Sequence, residues 1–115
     1  MYEKEAPNCV FCKIIRNELK SKIILEDEHV IVIEDLSPKA PIHLLLIPKA
    51  HVPTINHIED EKLYSIFLRT AQKIALKLNV SEDGYRLIMN CNKMGGQSVY
   101  HVHMHFLAGK QMEGF

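Results

Sequence analysis

The stretch of sequence that decides the fold lies at residues 95–105 and reads GGQSVYHVHMH. Its second half carries three of the seven histidines of the chain at alternate positions: His101, His103 and His105. Successive side chains of a strand point to opposite faces, so this spacing predicts three imidazoles on one face, about 6.6–7 Å apart, along a strand over residues 99–108. The apolar residues between the histidines are expected to pack into the core on the other face.

Two chemistries use such a row of imidazoles. Neutral rings can converge on a catalytic zinc ion, or one ring can attack phosphorus while its neighbours hold its tautomer and contact the phosphate. The residues before the row favour the second chemistry. Gly95 and Gly96 let backbone amides approach an anion, and Gln97 and Ser98 add hydrogen-bond donors. Asn90, at the end of the preceding predicted strand, is a further donor on the phosphate side.

Composition restricts the class of protein. The 115 residues are 47% hydrophobic, which predicts a single domain over residues 1–115 with one core and a loose N-terminal segment at residues 1–8. The 14 basic and 14 acidic side chains cancel, so neither nucleic acid nor an anionic membrane is an expected partner. Because no apolar run approaches the roughly 20 residues of a membrane span and the start lacks a signal-like segment, we expect a cytoplasmic protein with reduced cysteines.

Apolar and β-branched runs predict the remaining strands at residues 23–26, 29–35, 43–47 and 85–90. A short helix is expected at 12–19, and apolar residues at i, i+3 and i+4 spacing predict a long helix at 59–78. Strands joined by short turns around one long helix indicate an α+β domain with an antiparallel sheet. Tyr64 and Leu68 lie off the main apolar stripe of the long helix, which is therefore either deeply buried or part of a subunit interface.

Residues 95–105 resemble the signature of the histidine triad family, and specifically of its Hint branch. The likeness continues through further segments at residues 11–15, 35–38, 40–43, 47–51 and 111–112, so it covers about residues 8–112. The resemblance implies the HIT fold, with a five-stranded antiparallel sheet, one long helix and one short helix. It also implies a homodimer, with the sheet extended across the dimer and the long helix at the interface.

The resemblance implies a hydrolase that cleaves purine nucleoside 5′-monophosphate conjugates, namely adenosine phosphoramidates and also acyl-adenylates. His103 would be the nucleophile and would form a nucleotidyl-histidine intermediate that water hydrolyses. Four further side chains would complete the catalytic site: His101, His105, His43 and Ser98. The sequence has no P-loop pattern, so we expect catalysis to require no metal cofactor.

The nucleotide is expected to bind beside the histidines. By the resemblance, Asp35 would bind the ribose hydroxyls, while Asn90 and Gln97 are the candidate phosphate-side donors. An apolar slot for the base would be formed by five side chains: Val10, Phe11, Ile14, Ile33 and Leu36. Two other classes of function stay open at this point, a zinc-dependent hydrolase with a triad-bound metal and a nucleotide-binding module without turnover.

Cys9 and Cys12 have the spacing of a metal-ligand pair, which needs two further ligands to complete a tetrahedron. Their surroundings lack the strand–helix context of a thioredoxin-like redox motif. In some bacterial-type histidine triad proteins, a similar pair is half of a structural zinc site. The resemblance implies His51 and His101 as the other two ligands, and hence a structural zinc ion beside the catalytic strand.

Two positions depart from the family pattern. Asn92 stands where the family usually has glycine, and asparagine tolerates the left-handed backbone conformation better than most residues. The chain after Met112 lacks the Trp-Pro-Pro type of ending found in eukaryotic Hint proteins. Since that ending helps to set leaving-group specificity, the sequence leaves the preferred leaving group open.

Overall fold

The computed structural model describes residues 8–115. Apart from Asn8, the segment predicted to be loose therefore lies outside the described residues. In chain order the elements are α1 (Val10–Ile15), β1 (Ile23–Glu26), β2 (Val30–Glu34), β3 (Ile42–Pro48), a 3-10 turn (Ile55–His57), α2 (Lys62–Lys77), β4 (Arg86–Ile88) and β5 (Met104–Ala108).

The five strands form one antiparallel sheet in the spatial order β1-β2-β3-β5-β4. β3 lies at its centre and pairs with β5 so that Leu45 stands opposite His105 and Leu46 opposite Met104. β1 and β4 are the two edge strands. The α+β fold with a five-stranded antiparallel sheet, one long helix and one short helix is therefore confirmed.

The long helix α2 covers one face of the sheet. Phe67 and Ile74 of α2 pack in one buried cluster with Leu46 of β3 and Phe106 of β5. The Phe106 ring also stacks on Tyr85, with 4.7 Å between the ring centroids. Apolar residues at helical spacing thus meet the apolar residues that alternate with the histidines, as the sequence pattern predicts.

The short helix α1 covers part of the opposite face. Phe11 of α1 packs there against four buried residues of β2 and β3: Ile31, Ile33, Leu45 and Ile47. Because α1 is only six residues long, it leaves the rest of this face open. The two histidines that lie within strands, His43 of β3 and His105 of β5, are on this face of the sheet.

The histidine row lies largely outside the sheet ladder, which corrects the strand predicted over residues 99–108. β5 begins only at Met104. Before it, the N–H of Val102 donates to the carbonyl of Val52 at 2.6 Å, so this stretch hydrogen-bonds to a loop rather than to a strand. Val102 and Phe106 are buried in the core as predicted, but His101 and His103 are buried too, at 0% and 7% exposed, so burial does not alternate along the row.

The helices also differ at their ends from the sequence prediction. α2 starts at Lys62, whose N–H donates to the Asp60 carboxylate at 3.0 Å and so satisfies a free donor of the first turn. α1 lies earlier than predicted and has ended before Asn17, which has a φ of 64°. No helix in the part of the chain from Asn8 onward is long and apolar enough to cross a bilayer.

Candidate active site and metal cluster

The pairing of β3 with β5 brings two histidines together. His105 stands opposite Leu45, and His43 lies two residues before Leu45, so both imidazoles point to the face that α2 does not cover. Their rings lie 5.1 Å apart between centroids, and the His105 ring lies 5.3 Å from that of His103. The structure thus brings His43, His103 and His105 together, whereas His101, also predicted for the catalytic site, is fully buried and directs Nδ1 at Cys9 and Cys12.

The His103 ring is fixed by its own backbone. Nδ1–H of His103 donates to the carbonyl oxygen of His101 at 2.7 Å, and Phe11 packs edge-on against the ring at 5.0 Å. Because Nδ1 carries the proton, Nε2 keeps a free lone pair in the neutral ring. Burial lowers the pKa of His103, so the ring is neutral at physiological pH. A neutral imidazole with one nitrogen free is a nucleophile.

The tautomers of His43 and His105 follow from a backbone N–H that donates to His43. The N–H of Lys39 can only donate, and it lies 3.0 Å from Nδ1 of His43. Nε2 of neutral His43 therefore carries the proton and donates it to Nδ1 of His105 at 2.9 Å. The proton of His105 must then be on Nε2. This chain of bonds leaves His105 with an N–H donor for a bound anion.

A cavity of about 430 Å³ lies beside the triad. Nine of the predicted site residues line it: Val10, Phe11, Ile14, Ile33, Asp35, Leu36, Ser98, His103 and His105. The sequence analysis missed Leu19, Leu45 and Val99, which line the same cavity. Leu45 could have been found from its place in β3, two residues after His43, whereas nothing in the sequence marks Leu19.

Two other cavities need to be distinguished from this one. An adjoining cavity, also of about 430 Å³, shares Asp35 and His105 with the first and is lined in addition by His43 and Asn90. A cavity of about 440 Å³ lies elsewhere, against α2 residues such as Leu63, and no histidine of the triad lines it. The cavities beside the triad are the candidate active site because His103, His105 and His43 line them.

Gln97 does not have the role predicted for it. Its side-chain N–H groups donate to the carbonyls of Pro53 and Val99 at 2.8 and 3.0 Å, and its oxygen accepts from the Asn92 N–H at 2.9 Å. The side chain is 7% exposed. Because both donors are used inside the protein, Gln97 braces the loop before the histidines instead of contacting a nucleotide phosphate.

The same loop keeps the path expected for a glycine-rich turn. Asn92 adopts a φ of 60°, the left-handed conformation that asparagine was expected to tolerate in place of glycine. Asn90, two residues after the end of β4, donates from its side chain to the carbonyl of Gly95 at 2.7 Å and so ties the chain after β4 to the loop. One N–H and the oxygen of Asn90 remain for a ligand.

The second cluster consists of the four predicted metal ligands. Sγ of Cys9 and of Cys12 lie 3.4 and 3.6 Å from Nδ1 of His101, and Sγ of Cys12 lies 3.4 Å from Nδ1 of His51. The two Nδ1 atoms are 3.1 Å apart. A tetrahedral zinc ion with Zn–S of about 2.3 Å and Zn–N of about 2.0 Å implies S···N edges of about 3.5 Å and an N···N edge of about 3.3 Å. The donor set and its dimensions fit zinc.

An outer hydrogen bond orients His101 within this cluster. Its Nε2–H donates to the carbonyl of Pro48 at 2.7 Å, which leaves the Nδ1 lone pair pointing at the thiols. Burial lowers the pKa of His101 to about 4, so the ring is neutral and able to bind a cation. By contrast, the carboxylate and imidazoles of Asp35, His43 and His105 lie close together, but Nε2 of His43 carries a proton. That tautomer disfavours a metal within the catalytic cluster.

Fold and site together define a histidine triad protein. A family model described as the HIT domain matches residues 16–112. The purine nucleoside phosphoramidase of Escherichia coli (strain K12) is 46% identical over 109 residues, which cover 93% of this chain and 92% of that protein. The chain belongs to the HIT family.

Solved structures agree with this assignment. A HIT family hydrolase from Legionella pneumophila Philadelphia 1 has a TM-score of 0.89 at 46% identity, covering 91% of this chain and 96% of its own. A histidine triad protein from Clostridium difficile has a TM-score of 0.93 at 38% identity, covering 96% and 98%.

The environment of His105 predicts an unusual titration. Burial, followed by the neighbouring His103 and His43, lowers the pKa of His105 to about 4, whereas a histidine in an unfolded chain titrates near 6.5. As the pH falls, the unfolded chain therefore binds a proton at His105 before the folded chain does. This difference lowers the free energy of unfolding between about pH 6.5 and about pH 4. NMR of the imidazole nuclei between pH 4 and 8 measures this directly. A midpoint near pH 6.5 for His105 would contradict the assigned burial.

Proposed function

We propose that this chain is a nucleoside phosphoramidase, which hydrolyses the phosphorus–nitrogen bond of purine nucleoside 5′-phosphoramidates through a covalent nucleotidyl-histidine intermediate on His103. The single observation that carries the proposal is the 2.7 Å bond from Nδ1–H of His103 to the carbonyl of His101. It makes Nε2 the only nitrogen of the ring free to attack. The activity named for the E. coli relative, at 46% identity over most of both chains, supports the same substrate class.

The first step forms one bond and breaks one bond. The Nε2 lone pair of His103 attacks phosphorus, and the amine leaves with the electron pair of the phosphorus–nitrogen bond and takes up a proton. Nε2–H of His105 donates to a phosphate oxygen, and the Ser98 hydroxyl, on the same cavity, donates to the departing nitrogen. Water then attacks phosphorus, and the phosphorus–Nε2 bond breaks with its electron pair returning to Nε2 of His103. The proton that water loses passes to solvent and balances the proton that the amine gained, and the nucleoside 5′-monophosphate is released. An acyl-adenylate reacts by the same steps with a carboxylate as the leaving group.

The cavity supports a nucleotide as the ligand. Apolar side chains at its mouth are unusually open, since Leu36 is 96% exposed and Val10 is 39% exposed. A purine ring lying between Phe11 and these residues would cover that surface. Asp35 lines both cavities beside the histidines, and its Oδ2 lies 3.5 Å from Nε2 of His43, which supports the assignment of this carboxylate to the ribose hydroxyls. Binding without turnover is disfavoured because a binding module does not need an oriented nucleophile.

We further propose that Cys9, Cys12, His51 and His101 hold a structural zinc ion. Their donor atoms lie within 4.8 Å of one another, and the described distances match a zinc tetrahedron. The two Nδ1 lone pairs, only 3.1 Å apart, repel one another unless a cation or a proton lies between them. Zinc at this position would crosslink the start of α1 to the segment after β3, which carries His51, and to the segment before β5, which carries His101. It would take no part in the bond-breaking steps.

The protein is also proposed to be a homodimer. The outer face of α2 presents Tyr64, Leu68 and Leu76, which are 46%, 54% and 74% exposed. Among the described strands β4 lies at one edge of the sheet, where its outer backbone groups can pair with another strand. A second copy related by twofold symmetry would cover both features and extend the sheet.

Replacement of the nucleophile tests the proposed chemistry. His103→Ala should lower the turnover of an adenosine 5′-phosphoramidate by at least about a thousandfold, because no other group can form the intermediate. The assay contains a chelator, and chromatography measures the amount of amine released over time. His29→Ala, which removes an exposed histidine, is the matched control and should keep wild-type turnover. Wild-type turnover in His103→Ala would disprove the assignment of the nucleophile.

Metal analysis tests the zinc site. The purified protein should contain about one zinc ion per chain, and His51→Ala should lose most of it on dialysis because three ligands remain. His57→Ala, a histidine outside the cluster, should keep the wild-type zinc content. Zinc contents that are equal in the two variants would contradict the site.

The α2 surface predicts the effect of one charge. Leu68→Glu places a carboxylate at the centre of the exposed apolar face and should shift the dimer toward monomers, because the charge would be buried between subunits. Sedimentation velocity at micromolar concentration measures the change. Met94→Glu alters a fully exposed residue away from α2 and should leave the dimer intact. A wild-type chain that sediments as a monomer would refute the interface.

A further inference from the structure

The metal cluster and the nucleotide cavity share one short helix. Cys9 precedes α1, and its Sγ accepts from the N–H of Cys12 at 3.4 Å. Between these two thiols in sequence lies Phe11, whose ring packs edge-on against His103 at 5.0 Å and against His101 at 5.8 Å. The wall of the cavity and the two cysteine ligands are therefore parts of a single structural unit.

We infer that Cys9 and Cys12, when they bind zinc, are positioning residues for the nucleotide, because they fix α1 as the wall of the base slot and so set the affinity for the nucleotide. This inference rests on the proposed function and adds to it a role of the metal site in substrate binding. A purely structural zinc ion would change the stability of the fold and leave the affinity of the folded protein unchanged.

α1 depends on its tethers because it is too small to be stable by itself. A helix of six residues lies well below the length at which isolated helices persist in water. Only Phe11 and Cys12 of this helix are buried, whereas Val10 is 39% exposed at the cavity mouth. The helix is therefore held by the packing of Phe11, Ile14 and Ile15 against the sheet and by the bonds of the two thiols. Loss of the thiol bonds leaves the buried contact of Phe11 and the half-buried packing of Ile14 and Ile15 against the sheet.

The nucleophile, by contrast, has anchors that do not involve the thiols. The His101 ring is held by the 2.7 Å bond from its Nε2–H to the Pro48 carbonyl, and its own carbonyl holds His103. The adjacent N–H of Val102 is bonded to Val52. Removal of the metal should therefore loosen the base slot and leave the reacting ring oriented. The expected signature is a rise in KM with little change in kcat.

The test uses adenosine 5′-monophosphate as the probe. Its Kd is measured by calorimetry for zinc-loaded wild-type protein, for wild-type protein depleted by a chelator, and for Cys12→Ser, each well below its unfolding temperature. Depletion should raise Kd by at least about tenfold, and added zinc should restore it. Cys12→Ser should show the same loss without restoration. For the phosphoramidate substrate, KM should rise by a similar factor while kcat changes by less than about threefold.

Cys91→Ser is the matched control, since it removes a thiol outside the cluster and should keep the zinc content and Kd of wild type. Hydrogen exchange of α1 should become faster on depletion while exchange in β3 does not. If Cys12→Ser does not fold, Cys9→Ser and the chelated wild type are judged by the same criterion. Equal Kd values with and without zinc, in folded samples, would overturn this inference alone. Failure of the zinc-loaded wild type to bind the probe would instead overturn the proposed function.

Discussion

The hydrogen bond from Nδ1–H of His103 to the carbonyl of His101 is the interaction on which the chemistry of the site depends. It fixes both the orientation of the ring and the nitrogen that keeps a lone pair. It is possible only because the chain enters the sheet at Met104, after these two residues. A carbonyl inside the ladder would be engaged by the neighbouring strand. The side chains of the histidine row alternate in direction as in a strand, but the backbone before Met104 is not paired with the sheet. The carbonyl of His101 is therefore available to orient the His103 ring.

Two backbone groups give histidines of the same type different functions. The carbonyl of Pro48 accepts a hydrogen bond from Nε2–H of His101, so the Nδ1 lone pair of that ring points at the thiols. The backbone N–H of Lys39 donates to Nδ1 of His43, so the proton of that ring is on Nε2 and is donated to His105. The stiff turn with Pro38 and Pro41 on either side of Lys39 holds this amide in place. The metal cluster and the catalytic cluster are therefore separated by tautomer as well as by position.

Much of this arrangement could be predicted from the sequence. The alternation of residues 101–106 correctly predicted that Val102 and Phe106 lie in the core, but it did not reveal that His101 and His103 are buried as well. Helical periodicity located α2 to within a few residues. Local hydrogen bonds moved the boundaries, as with the Asp60 carboxylate at the start of α2, and such bonds leave little trace in hydrophobic patterns. The role of Gln97 could not be found from sequence, because its partner Pro53 is 44 residues away. The role of Leu19 in the cavity likewise depends on how the chain leaves α1.

The covalent intermediate is the most direct test of the account. Wild-type protein mixed with an adenosine 5′-phosphoramidate and quenched within a turnover should yield a species heavier by one adenylyl group. Peptide mapping under conditions that preserve phosphorus–nitrogen bonds should place that group on His103. An adduct on another residue, or turnover that continues with no adduct detectable at any quench time, would contradict nucleophilic catalysis by His103.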